Sequence, residues 1–121
     1  MKKVILVADD SPTIRKFVAF SLAAKGYKII SATDGMEALE KLPNNNVDLI
    51  ITDLNMPNID GFEFIRTVRE NKDYEDIPII VLSSLGSEKD IDRGLGLGAN
   101  SYLVKPFDPK KINYEVSKYI S

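Results

Sequence analysis

The sequence predicts an α/β domain of three layers, a parallel sheet between two layers of helices. Five short apolar runs alternate with five amphipathic stretches. Most of the runs are rich in Val, Ile and Leu with little polar alternation, which suits strands buried on both faces of a parallel sheet. Parallel neighbours need crossover connections, and the amphipathic stretches are placed to supply them as right-handed helical crossovers. A chain of 121 residues suits one domain with one core. A single domain over 1–121 with no second, output domain is therefore expected.

The strands are expected near 3–8, 27–32, 47–53, 77–83 and 100–105. The first helix is the best signalled. Ser11 can cap it, Pro12 falls at the first helical position, Ile14, Phe17, Val18 and Leu22 form its apolar stripe, and Gly26 can end it. Asp34-Gly35-Met36-Glu37 has capping-box spacing, with Ala38, Leu39 and Leu42 behind it, Pro43 as the stop and Asn44-Asn45-Asn46 as a turn. Phe62, Ile65 and Val68 give a third helical face after Asp60-Gly61. Arg66 to Asp76 is a charged helix end and loop, read as a solvated surface. The fourth helix, near 87–97, is weak: Gly94, Gly96 and Gly98 each cost up to roughly 1 kcal/mol relative to Ala, so a short or mobile element is expected. Asp108-Pro109 repeats the cap-then-proline device for a fifth helix carrying Ile112, Val116 and Ile120.

Composition excludes several chemistries. The formal net charge is −2 with Lys and Arg scattered, so nucleic-acid binding is not expected. There is no Cys, which removes disulfides, thiolate metal sites and cysteine nucleophiles, and no His, which removes imidazole bases and ligands. No apolar run approaches the length of a membrane span, and the run after Met1-Lys2-Lys3 stops at Asp9-Asp10, too short for a signal peptide. A cytoplasmic protein without membrane insertion is expected.

The polar groups that interrupt the runs gather at one end. Asp9 and Asp10 follow the first run, Asp53 the third, Ser83 and Ser84 the fourth, and Lys105 the fifth, while the amino ends carry nothing comparable. Ligands of open α/β sheets bind beyond the carboxyl ends of the strands. Converging carboxylates repel one another unless a proton or a cation sits among them. Oxygen-only ligands favour a hard ion, and phosphate chemistry favours Mg²⁺. Lys105 is a compact charge suited to a phosphoryl oxygen, and the Ser83 hydroxyl can donate to another.

These residues resemble the receiver domain of two-component response regulators, especially single-domain, chemotaxis-type members. The resemblance rests on Asp9-Asp10, on Asp53 within Thr52-Asp53-Leu54-Asn55-Met56-Pro57, on Asp60-Gly61, on Ser83 and on Lys105-Pro106-Phe107, and it spans essentially the whole chain. It implies a flavodoxin-like fold with strand order 2-1-3-4-5 and five helices. It implies Asp53 as the phosphoacceptor, receiving its phosphoryl group from the phosphohistidine of a sensor histidine kinase. Mg²⁺ would be held by Asp10 directly, by Asp9 through water, by Asp53, and by the backbone carbonyl of Asn55. Lys105 would pair with Asp53 and then with the phosphoryl group, aimed by a cis Lys105-Pro106 bond. Ser83 matches the switch hydroxyl and Tyr102 the aromatic switch position, with a half-buried strand tyrosine as the plain alternative. Asn55 and Leu85, apolar where many members are polar, would tune loss of the phosphate.

The expected function is thus a phosphorylation-activated switch of a phosphorelay. The protein would catalyse only its own phosphorylation and dephosphorylation. Its output would be a changed face of the fourth helix, fifth strand and fifth helix, around Lys89, Asp92, Arg93, Tyr102 and Lys110, read by a partner protein; a monomer is expected. Three alternatives stay open: a Mg²⁺-dependent aspartyl-phosphate phosphatase, for which Asn55 would be a poor general acid; an interaction module that has lost phosphorylation; and a phosphate sink or adaptor without direct output.

Overall fold

The apolar runs pair side by side in parallel, and their register decides what meets at the carboxyl edge. The structure, a computed structural model, describes residues 2–120, so Met1 and Ser121 of the expected 1–121 domain lie outside the described residues. The chain runs β1 (Val4–Ala8), α1 (Pro12–Ala23), β2 (Lys28–Ala32), α2 (Gly35–Lys41), β3 (Leu49–Thr52), α3 (Gly61–Glu70), β4 (Ile79–Ser83), α4 (Glu88–Gly96), β5 (Ser101–Val104) and α5 (Pro109–Ser117). The sheet order is β2-β1-β3-β4-β5, parallel throughout, as the resemblance implied. Ala8 stands between Ala32 and Thr52, and Ser83 pairs with Val104.

Successive residues of each inner strand serve opposite faces. Leu6, Ile50, Ile79 and Val81 pack with Phe64, Ile65 and Val68 of α3. Ile5, Val7, Ile51, Ile80 and Leu82 pack with Val18 and Leu22 of α1 and Ile112 and Val116 of α5. With helices on both sides, no position in β3 or β4 can be polar without a partner, and this is why those runs show no alternation. At the amino edge, Asp48 accepts the Val4 N–H at 2.8 Å, a structural use of an acid.

All five helices start on a Ser or Asp whose side chain accepts the backbone N–H three residues on: Ser11, Asp34, Asp60, Ser87 and Asp108. Each such cap contributes about 1 kcal/mol. At α2 the capping-box Glu37 reaches the N–H of Thr33, one residue outside the cap itself. No helix among the described residues is long and apolar enough to cross a membrane.

α2 ends at Lys41 with Leu42 as its cap, ahead of Pro43 as expected, and the chain passes into a 3₁₀ turn over Leu42–Asn44, where proline still fits. Three local expectations are corrected. Ile120 lies beyond the end of α5, although it packs on the α1 side of the core. The three glycines do not simply weaken α4. Gly98 has φ +117 just past the helix and Gly94 lies against the Tyr102 ring, so only Gly96 faces open space. Finally, the Arg66 to Asp76 stretch is not merely solvated. Arg69 is half-buried, and its guanidinium donates to the Gly98 carbonyl at 2.9 Å, the Asn100 Oδ1 at 2.9 Å and the Tyr74 carbonyl at 3.4 Å. Burial pulls its pKa below the usual guanidinium value.

Candidate functional site

The sheet hydrogen bonds continue one residue past β1 and β3, and this places the first acids. The Asp9 N–H donates to the Ala32 carbonyl at 3.1 Å and the Asp53 N–H to the Ala8 carbonyl at 2.9 Å. Asp9 and Asp53 are thereby side by side, 2% and 7% exposed, while Asp10 is exposed at the rim. The three carboxylates each offer an oxygen, and those oxygens lie within 4.8 Å of one another. Lys105 enters from the end of β5, its Nζ 3.3 Å from Asp53 Oδ2 and 3.4 Å from Asp9 Oδ2. The Lys105-Pro106 peptide bond is cis.

The remaining polar groups of Asp53 are also engaged. Its Oδ1 accepts the Leu54 N–H at 2.6 Å, and its carbonyl accepts the Thr52 hydroxyl at 2.8 Å. Gly61, at the start of α3, donates its N–H to the Leu54 carbonyl at 2.9 Å. A Cβ at Gly61 would stand 2.1 Å from the Asp53 carbonyl oxygen, so only glycine lets α3 begin this close to the Asp53 loop.

One ammonium between two buried carboxylates, with a third at the rim, leaves an excess of negative charge. At Asp9, burial first of all pushes the carboxyl above the ordinary value of 3.8; the Ser11 N–H pulls it back down, the Asp53 charge pushes it up, and Lys105 pulls it down. All the side-chain donors are hard oxygens, and Asp10 is open to water, so the set fits a hydrated divalent ion such as Mg²⁺.

Ser83 is fully buried at the end of β4, and its Oγ accepts the Leu85 N–H at 3.1 Å. The Leu85 carbonyl in turn accepts the Tyr102 hydroxyl at 2.5 Å. Burial raises the Tyr102 phenol above its ordinary value, with the Ser83 hydroxyl pulling the other way. A chain of contacts thus runs from the site through Leu85 to β5 and α4. Ser84 points to solvent, and Asn55 is exposed beside the acids.

Asp9, Asp10, Asp53 and Lys105 therefore come together as the sequence suggested, with Ser83 nearby and Tyr102 one contact further out. Sequence reasoning missed that Lys105 serves Asp9 as well as Asp53, that Leu85 links Ser83 to Tyr102 through its backbone, and that Gly61 is required by close approach. The side chain of Leu85 carries no signal for a backbone role. Of the expected output residues, Arg93 faces the other way, its guanidinium 3.9 Å over the Phe62 ring of α3.

Comparison with known proteins gives one consistent picture. The response regulator receiver domain, as a family, matches residues 5–117. The chain is 40% identical over 116 residues to the alkaline phosphatase synthesis transcriptional regulatory protein PhoP of Bacillus subtilis, covering 96% of this chain and 48% of that protein. It spans about half the length of curated relatives of this kind. The structure of the chemotaxis response regulator CheY4 of Vibrio cholerae superposes with a TM-score of 0.92 at 37% identity, covering 99% of this chain and 100% of that one. The receiver domain of the sensor histidine kinase PA1611 of Pseudomonas aeruginosa, with a magnesium ion in its active-site cleft, superposes at 0.90 with 27% identity, covering 99% and 98%.

Proposed function

The chain belongs to the response regulator receiver domains of two-component systems, and from that premise we propose that it is a phosphorylation-controlled switch whose acceptor is Asp53. One observation carries the reading: three carboxylates converge within 4.8 Å, with the Lys105 ammonium 3.3 Å from Asp53. Asp53 Oδ2 is the nucleophile. It bonds to phosphorus, the phosphorus–nitrogen bond of the donor phosphohistidine breaks, and the electron pair leaves with the imidazole, which takes up a proton. The product is an acyl phosphate.

Asp10, Asp9, Asp53 and the Asn55 carbonyl would hold Mg²⁺, which when bound neutralises charge on the carboxylates and on the transferring group. Lys105 exchanges its carboxylate partner for a phosphoryl oxygen. Ser83 gives up the Leu85 N–H and donates to another phosphoryl oxygen. With that contact gone, Leu85 and the Tyr102 hydroxyl it holds are free to shift, and the face of α4, β5 and α5 changes. A partner protein reads that face. A chemotaxis-type output is supported by the likeness to CheY4 over the full length of that protein.

The test is incubation with acetyl phosphate and Mg²⁺ followed by intact-mass measurement. The native protein should gain one phosphoryl group and Asp53→Asn none. Equal labelling of the two would remove Asp53 as acceptor, and sustained turnover of a small phosphoester would make the protein a phosphatase instead.

A further inference from the structure

Asp9 is held at every polar atom. Its N–H goes to Ala32, its Oδ1 accepts the Ser11 N–H at 2.9 Å, its Oδ2 faces Lys105, and its carbonyl accepts Arg15 Nη1 at 2.6 Å. The last of these is unusual. Arg15 sits on α1, six residues further along the chain, and helical side chains lean back over the preceding turn, which brings its guanidinium to the β1–α1 loop. A cation so near a helix N-terminus opposes the helix dipole, and α1 has no acid in its first turn to offset it.

The carbonyl that Arg15 holds belongs to the peptide unit joining Asp9 to Asp10. A peptide unit is planar, so anchoring its oxygen also fixes the direction in which the chain enters Asp10. Asp10 is the exposed member of the acidic cluster and has the most freedom to lose. We infer that Arg15 is a positioning residue for the metal site: by clamping the Asp9–Asp10 peptide, it holds the Asp10 carboxylate in the arrangement that binds the divalent cation. This rests on the reading of the acidic cluster as a Mg²⁺ site.

Charge and position predict opposite signs. If Arg15 acted only through its charge, removing it would tighten binding of a cation to the neighbouring carboxylates. If it acts by position, removing it weakens binding, and loss of a supporting hydrogen bond of this kind costs on the order of 10-fold in metal affinity. Calorimetric titration with MgCl₂ separates the two in native protein, Arg15→Met and Arg15→Lys, with melting in EDTA as the check on folding. The expected result is about 10-fold weaker binding in R15M at little-changed melting temperature, mostly recovered in R15K, which can still reach the carbonyl. Equal or tighter binding in R15M overturns the inference and leaves the metal site standing. No Mg²⁺ uptake by the native protein removes both. Should R15M not fold, the native protein decides: the Arg15 Nη protons should exchange slowly in low-temperature nitrogen-15 spectra, and a freely exchanging guanidinium overturns the clamp.

Discussion

Two neighbouring parts of the molecule carry the two ends of the proposed switch and are held in different ways. In the first, β3, β4 and α3, every strand residue is buried and α3 buries Gly61, Phe62, Phe64, Ile65 and Val68. In the second, β5 is an edge strand with no fully buried residue, and α4 buries Gly94 alone. Asp53 belongs to the first and Lys105 to the second. Asp53, the proposed acceptor, is held by close packing, which resists small displacements. Ser83 ends the close-packed part, and beyond it a few hydrogen bonds hold the backbone: Ser83 to Leu85, Leu85 to Tyr102, and Arg69 to the loop after α4. A device of this kind needs one rigid side and one side with an alternative arrangement close in energy.

The largest expected contrast is between truncations in the two parts. Phe64→Ala should cost about 3–5 kcal/mol in urea unfolding. Leu95→Ala, on the exposed side of α4 at 41% exposure, should change stability by no more than about 0.5 kcal/mol. Losses of equal size would break the contrast.

Next is Arg69→Ala, which tests how the looser part is tied to the firmer one. It removes a charged donor from three acceptors and should cost about 2 kcal/mol. Amide exchange should speed up at 97–101 before it does in α3. Arg69→Lys should recover little, because a single ammonium cannot reproduce the planar fork. Unchanged protection at 97–101 would mean that the loop is held by other contacts.

The glycines at the end of α4 and just past it should give effects of opposite sign. Gly96 faces open space, so Gly96→Ala should stabilise by up to roughly 1 kcal/mol. Gly98 has φ +117, and an added Cβ would lie 2.7 Å from Arg69 Cγ, so Gly98→Ala should destabilise by about 1–3 kcal/mol. Melting temperatures moving in the same direction would contradict this division.

The smallest effect belongs to the close-packed side, at Asp9. The folded protein holds the Asp9 proton more tightly than the unfolded chain does, since its pKa is raised from 3.8. Its contribution to stability is therefore greatest below that ordinary value and is lost as pH rises through the folded value. In EDTA, stability of the native protein relative to Asp9→Asn should fall as pH rises above about 4. A flat difference would mean that Lys105 and Ser11 fully offset the burial.

Much of this was legible from residues alone because it is encoded locally. An apolar run read as a buried strand, a Ser or Asp before a helical stripe as a cap, and polar residues at the ends of such runs as a site; each needs only a short window. Asp9, Asp10, Asp53, Ser83 and Lys105 all emerged that way. The charged stretch around Arg69 read as solvated because two of its three acceptors, Gly98 and Asn100, lie 29 and 31 residues away. The three glycines near α4 looked alike because a local window contains neither the Tyr102 ring nor the Arg69 side chain that distinguishes them.

The sequence by itself determined the elements, their caps and the chemistry available at the carboxyl edge, since backbone preference and hydrophobic period act over a few neighbours. Tertiary structure alone decided that Lys105 is shared between Asp9 and Asp53, that a leucine backbone joins Ser83 to Tyr102, and that one arginine ties α3 to the end of α4. Those outcomes depend on strand register and on distances between residues far apart in the chain, which take their values only when the whole sheet closes.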